Sequence, residues 1–294
     1  MIQLAVNYSR PAAALSRTGR IAFDRFKCPA WPDVVAESLA IGPSYVHYPI
    51  LVGGARPVID KETGADPDWG RIESMARDTG VPYINIHLAP TNADHPEAVD
   101  ADGDPDAVRR FTDYFIDCAG RVVSRFGPAR VILENNSDDW GQSLTIGILP
   151  GVIAEVVAAT GCGFLLDISH ARLAAERLGW DARDYTEALP VGRIRELHVT
   201  GVQRFDESWI RPLREAGIPE AQYREFIGHR IDHLPLTDDC WEFYEWSIGR
   251  IRSGAWSEPW AVAYECGGVS PLWEALTDAD VLAEQVPRLL AALR

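Results

Sequence analysis

The chain has 294 residues, 47% of them hydrophobic and 24% charged, the balance of an ordinary soluble globular protein. No stretch approaches the roughly 18 uncharged apolar residues of a membrane span, and the opening Met-Ile-Gln-Leu-Ala-Val-Asn-Tyr lacks the basic flank and cleavage site of a secretory signal, so a cytoplasmic protein without membrane contact is expected. Forty-three acidic against 28 basic residues give a net charge of −15, which repels phosphate backbones at long range and excludes nucleic acid as an expected partner.

Short apolar, β-branched runs recur along the whole chain. In order they predict strands over Ile2–Val6, Tyr45–Ile50, Tyr83–Leu88, Arg130–Glu134, Gly163–Asp167, Glu196–Val199 and Trp260–Glu265. Segments with helical spacing lie between them, at Trp31–Ala40, Asp68–Thr79, Pro105–Phe126, Ile148–Thr160 and Asp239–Arg252. The alternation predicts a parallel sheet, and strands spread over nearly 300 residues fit a closed (β/α)8 TIM barrel of the α/β class better than an open sheet. A dinucleotide-binding fold is disfavoured, because Asn7-Tyr8-Ser9-Arg10 stands where GxGxxG would follow the first strand. No repeat, low-complexity tract or linker divides the sequence, so residues 1–294 are expected to form one domain. The acidic loop 91–106 carries His95, read as a surface residue.

Polar residues fall repeatedly at the C-terminal ends of the predicted strands: His47, His87, Glu134, Asp167, His198 and Glu265. In a (β/α)8 barrel these ends meet on one face, where active sites are built. Taken singly, a strand-end His is most often a satisfied core or surface residue, and a strand-end Asp or Glu the cap of the next helix. Recurrence changes the balance. Imidazoles and carboxylates gathered on one rim repel and desolvate each other unless cations neutralise them, which is what a metal site supplies. Mixed His/carboxylate ligation suits iron, manganese or catalytic zinc, and ligand type alone does not choose among them.

Asp167-Ile168-Ser169-His170 adds a second donor turning back over the rim, and Asn135 or Asn136 is expected to orient a neighbouring ligand. The segment His229-Arg230-Ile231-Asp232-His233-Leu234-Pro235 is expected to form the seventh strand and its rim. The five cysteines, Cys28, Cys118, Cys162, Cys240 and Cys266, are scattered without CxxC spacing and read as buried bystanders rather than as a disulfide or zinc framework.

At these positions the chain resembles the DUF692 family, the multinuclear non-heme iron-dependent oxidative enzymes that include the methanobactin oxidase. The likeness runs nearly end to end and is carried by Ala5-Val6-Asn7-Tyr8-Ser9, Asn85-Ile86-His87-Leu88, Leu133-Glu134-Asn135-Asn136-Ser137, Leu165-Leu166-Asp167-Ile168-Ser169-His170, Leu197-His198-Val199-Thr200-Gly201, Asp232-His233-Leu234-Pro235 with Trp241-Glu242-Phe243-Tyr244 following, and Tyr264-Glu265.

The resemblance implies a xylose-isomerase-like barrel holding two or three irons in mixed Fe(II)/Fe(III) valence, with O2 as cosubstrate. His47, His87, Glu134, Asp167, His170, His198, His233 and Glu265 fall on the family's ligand positions, and Asp232 lies within its Asp-x-His-type motif. It implies oxidation of cysteine in a ribosomally synthesised precursor peptide, delivered by a small peptide-recognition partner protein. Two positions depart from the family pattern. His170 stands where many members carry Asn, and Ile231-Asp232-His233 replaces Asp-Thr-His, which leaves the register of Asp232 and any role of His229 open.

Phe26-Lys27-Cys28-Pro29-Ala30-Trp31-Pro32 resembles the 3-thiaglutamate-type members, which excise the β-carbon of a C-terminal cysteine and release formate. Arg10, Lys27 and Arg204 are the basic residues considered for a peptide carboxylate, with surface solvation as the ordinary role of each. The alternative reading keeps the barrel and makes it a divalent-metal isomerase or phosphodiesterase of the xylose-isomerase-like or endonuclease IV-like class.

Overall fold

A computed structural model describes residues 1–137 and 139–294. Its strands are β1 (Gln3–Asn7), β2 (Arg25–Pro29), β3 (Ser44–His47), β4 (Ile50–Val52), β5 (Val58–Asp60), β6 (Ile84–Leu88), β7 (Val131–Glu134), β8 (Gly163–Asp167), β9 (Ile194–Val199), β10 (Gly201–Arg204), β11 (Arg230–Leu234) and β12 (Ala261–Tyr264). β1 pairs in parallel with both β2 and β12, and parallel pairing continues from β12 through β9, β8, β7 and β6 to β4. On the other side β2 pairs with β3. Since β3 and β4 belong to one stretch, residues 44–52, chain continuity closes the ring into the eight parallel staves of a TIM barrel.

Two expectations are corrected. The stave absent from the sequence reading is β2, whose Arg25-Phe26-Lys27-Cys28-Pro29 does not read as an apolar run. The 229–235 segment is not a barrel strand: β11 pairs antiparallel with β10 in a separate ribbon above the rim. That ribbon has its own small core, in which Phe205, Leu213, Tyr223 and Leu234 pack with Leu272 and Leu276.

The helices cover the barrel as their apolar stripes require. Pro105–Phe126 buries Phe111, Phe115, Cys118 and Val122, starts on the Asp104 cap and stops at Gly127. Pro32–Leu39 begins with proline in its first turn, where the missing N–H costs nothing, so the Trp31-Pro32 pair does start a helix. No helix among the described residues is long and apolar enough to cross a membrane.

Candidate metal centre

Strand register brings the donors together. His87 lies beside Glu134 on neighbouring strands, and Asp167 beside His198. The Glu134 carboxylate stands at the middle, with Oε2 3.2 Å from His87 Nδ1 and 3.4 Å from His47 Nε2. Its Oε1 lies 3.5 Å from His198 Nδ1 and 3.7 Å from His170 Nδ1. Glu265 Oε2 approaches His198 Nδ1 at 3.1 Å, and Asp232 Oδ2 approaches His170 Nε2 at 3.0 Å.

Local structure explains several positions. Asp167 ends β8 and caps the next helix, its Oδ1 accepting from the N–H of Ser169 at 2.7 Å and of His170 at 2.8 Å. This first turn carries His170 back over the rim. Asn135 fills the orienting role expected for it or Asn136. Its Nδ2 donates to the Asp167 carbonyl and its Oδ1 accepts the Asp167 N–H, both at 2.9 Å, while its own carbonyl stands 2.8 Å from His170 Nδ1. Asn85, two residues before His87, donates toward His47 Nε2 at 3.1 Å.

The register of the Asp232-His233 pair is now defined by geometry. Asp232 faces His170, whereas His233 takes a left-handed backbone (φ 60°) and turns its Nδ1 to the Glu265 carbonyl at 2.9 Å. His229 is not brought into the cluster; its ring lies 5.7 Å from that of Trp140.

Among the described residues five buried side-chain atoms lack a hydrogen-bond partner, and three of them stand together in this cluster: Glu134 Oε2, Asp167 Oδ2 and His198 Nδ1. Buried polar atoms are rarely left this way, because each costs about 1–3 kcal/mol. Donor atoms of His47, Glu134 and His198, of Glu134, Asp167 and His170, and of Asp167, His198 and Glu265 lie within 4.8 Å of one another in each trio. The residues that carry the orphaned atoms belong to these trios, so the donor set fits cations at its centre.

Electrostatics agrees with the geometry. Burial raises the Glu134 carboxyl, but the His87 and His198 imidazoles outweigh it and hold it far below its ordinary range. Glu265 is likewise lowered against burial, by His198 and then Lys27. Burial pushes Asp167 up to about 6. Burial draws His87 down to about 4 and His47 well below its usual value, leaving neutral imidazoles with a lone pair to give. Against the same burial penalty, His198 is raised by Glu265 and His170 by Asp167: protons there answer the carboxylates' demand for positive charge.

Sequence reasoning missed three contributors. Lys27, expected on the surface, is buried and forms an ion pair with Glu265 inside the barrel. Glu196, two residues before His198 and so on the same face of β9, stands 2.9 Å from His198 Nε2, and Tyr45 donates its hydroxyl to Glu196 at 2.6 Å. The period of two along β9 was the available signal for Glu196. Arg10 is exposed beside Glu274, and Arg204 is exposed on β10. His95 is buried rather than on the surface, with Nε2 2.8 Å from the Gly53 carbonyl. All five cysteines are buried and free, as expected.

The fold and this donor ring define a xylose-isomerase-like (β/α)8 barrel with a His/carboxylate cluster on its C-terminal rim. Over nearly its full length it superposes on a xylose isomerase domain containing protein from Salmonella typhimurium LT2 (TM-score 0.52, 15% identity, covering 99% of this chain and 97% of that one). It also superposes on a D-psicose 3-epimerase from Clostridium cellulolyticum H10 (TM-score 0.52, 12% identity, 100% and 98%). These likenesses establish the fold. Residues 111–253 match the family described as "RiPP precursor modification enzyme MbnB/TglH/ChrH".

A UPF0276 protein of Caulobacter vibrioides is 23% identical over 260 residues, 85% of this chain and 83% of that protein. One from Bordetella bronchiseptica is 28% identical over 185 residues, 61% of this chain and 53% of the relative, so that match spans about half the relative's length. The chain is thus similar to this family, DUF692, over residues 111–253, and the likeness to the UPF0276 proteins extends over most of its length.

Proposed function

We propose that residues 1–294 act as one catalytic barrel, a multinuclear iron enzyme that uses O2 to oxidise a cysteine of a ribosomally synthesised peptide. The supporting observation is the convergence of Glu134 Oε2, Asp167 Oδ2 and His198 Nδ1, buried and unpartnered, among the other donors. His47, His87, Glu134, Asp167, His170, His198 and Glu265 would hold the metal, with Asp232 and His233 at its outer side. Bound iron would supply one-electron chemistry with O2 and Lewis acidity toward a thiol.

The chain's own residues grade the site from dry to wet. Glu134, Asp167, His198 and Glu265 have side chains at most 5% exposed, whereas His47, His87, His170, Asp232 and His233 range from 14 to 32%. The exposed side is where a peptide enters. There His233 packs at 5.3 Å from Trp273, which lies 6.0 Å from Phe226, and Phe226 lies 5.3 Å from Trp140, an aromatic wall beside the donors. The ribbon β10–β11 contributes His233 to this wall, the Pro271–Leu276 helix contributes Trp273, and together with Phe226 and Trp140 they are the proposed contact for the precursor and for a small recognition protein that delivers it. Excision of the β-carbon of a C-terminal cysteine with release of formate is the particular reaction proposed.

Element analysis of protein from iron-replete cells tests the metal, and oxygen uptake with a mass change in a cysteine-containing precursor tests the reaction. His87→Ala and Glu265→Ala are expected to lose iron and turnover together. Zinc, manganese or magnesium in place of iron, with no dependence on O2, would favour an isomerase or phosphodiesterase instead.

A further inference from the structure

A carboxylate with both oxygens free can give one to each of two metal ions, so such carboxylates are one means by which a chain extends a cluster. Glu134 is doubly available: imidazoles flank Oε2 on one side, His87 and His47, and Oε1 on the other, His198 and His170. Asp167 is not, since its Oδ1 is committed to the N–H groups of Ser169 and His170 and only Oδ2 faces the cluster. Glu265 is not either. Its Oε1 is taken by the Lys27 ammonium, and only Oε2 reaches toward His198.

Lys27 sits in β2, paired in register with Asn7 on one side and Tyr45 on the other, and is 6% exposed. A lysine is rarely buried to this degree without a partner. Here the partner is a member of the Asp167, His198 and Glu265 trio.

We propose that Lys27 is a built-in cation of the centre, whose ammonium holds Glu265 Oε1 and would limit the cluster to two metal ions. The inference rests on the metal-centre reading above and concerns only the number of ions. Removing the ammonium frees Glu265 Oε1 and removes the positive charge that repels a further cation from the trio.

The experiment is a count of metal per chain after anaerobic reconstitution with excess Fe(II) and desalting, by plasma mass spectrometry, on wild type and Lys27→Met, with circular dichroism on both. Two irons in wild type and three in Lys27→Met are expected. Three in wild type, or two or fewer in a folded Lys27→Met, would overturn the inference and leave the metal-centre reading standing. Fewer than two in wild type would remove that reading, and the inference with it. Should Lys27→Met not fold, the wild-type count decides: two sustains the proposal and three ends it.

Discussion

Glu196 Oε1 stands 2.9 Å from His198 Nε2, and the same oxygen accepts the Tyr45 hydroxyl at 2.6 Å. A carboxylate that receives one imidazole N–H fixes the tautomer and leaves the other nitrogen free to give its lone pair, here the buried and unpartnered Nδ1. Loss of such an outer partner typically weakens metal affinity about 10- to 100-fold. Glu196→Ala is therefore expected to weaken binding on this scale, and Tyr45→Phe less, because Tyr45 acts only through Glu196. A chelator competition titration measures both, and an unchanged affinity in Glu196→Ala would show that Glu196 does not hold His198.

Gly201 opens β10 where the ribbon crosses back over the rim. A Cβ there would lie 1.8 Å from the Pro235 carbonyl oxygen and 2.6 Å from that of Leu234. Both obstacles are backbone, so the strands must part. Gly201→Ala is expected to destabilise the protein by about 1–3 kcal/mol or more, with faster hydrogen exchange through 230–234, where Asp232 and His233 lie. The donors on the barrel strands should stay in place. Exchange rates in the ribbon equal to wild type would mean that the chain accommodates the methyl elsewhere.

Much of this arrangement was legible in the sequence because a barrel converts strand ends into a common face. His47, His87, Glu134, Asp167, His198 and Glu265 each close an apolar run, and periodicity alone brings them to one rim. What periodicity cannot carry is a polar side chain whose burial depends on a partner distant in sequence. Lys27 made β2 unreadable as a stave because its partner, Glu265, is 238 positions away. The ribbon β10–β11 failed for a different reason: the 229–235 segment reads as a barrel strand from its donors and its position in the chain, and neither tells a stave from a strand of an accessory ribbon. Asp232 and His233 were found by their donor types, while their support, an antiparallel strand with a left-handed residue, was not.

His95 illustrates the opposite error, a histidine in an acidic loop that is structural. Its Nε2 faces the Gly53 carbonyl at 2.8 Å, and Tyr114 donates to the next carbonyl, Gly54, at 2.6 Å. Together they hold the corner that follows β4. His95→Ala leaves a carbonyl without its partner and is expected to cost about 1–3 kcal/mol in urea denaturation. Its iron content should equal that of wild type. A loss of iron would mean that this corner controls the donors of β3 and β6.

The buried thiols predict how stability falls at high pH. Burial pushes Cys28 and Cys266 up from 9.0 to about 12. In the unfolded chain these thiols ionise near 9, while in the folded chain they keep their protons to about 12. Between those values the unfolded state binds fewer protons, so stability falls as pH rises, by ~1.4 kcal/mol per pH unit for each such group. Below pH 9 the contribution is fully present. Urea midpoints measured from pH 8 to 11 are expected to decline above 9, and Cys28→Ser with Cys266→Ser to flatten that decline. Native protein at pH 8 should also resist Ellman's reagent until denatured, when all five cysteines react. Rapid labelling of a native thiol would show that a cysteine is reached by solvent, and the alkaline argument would then fail for that residue.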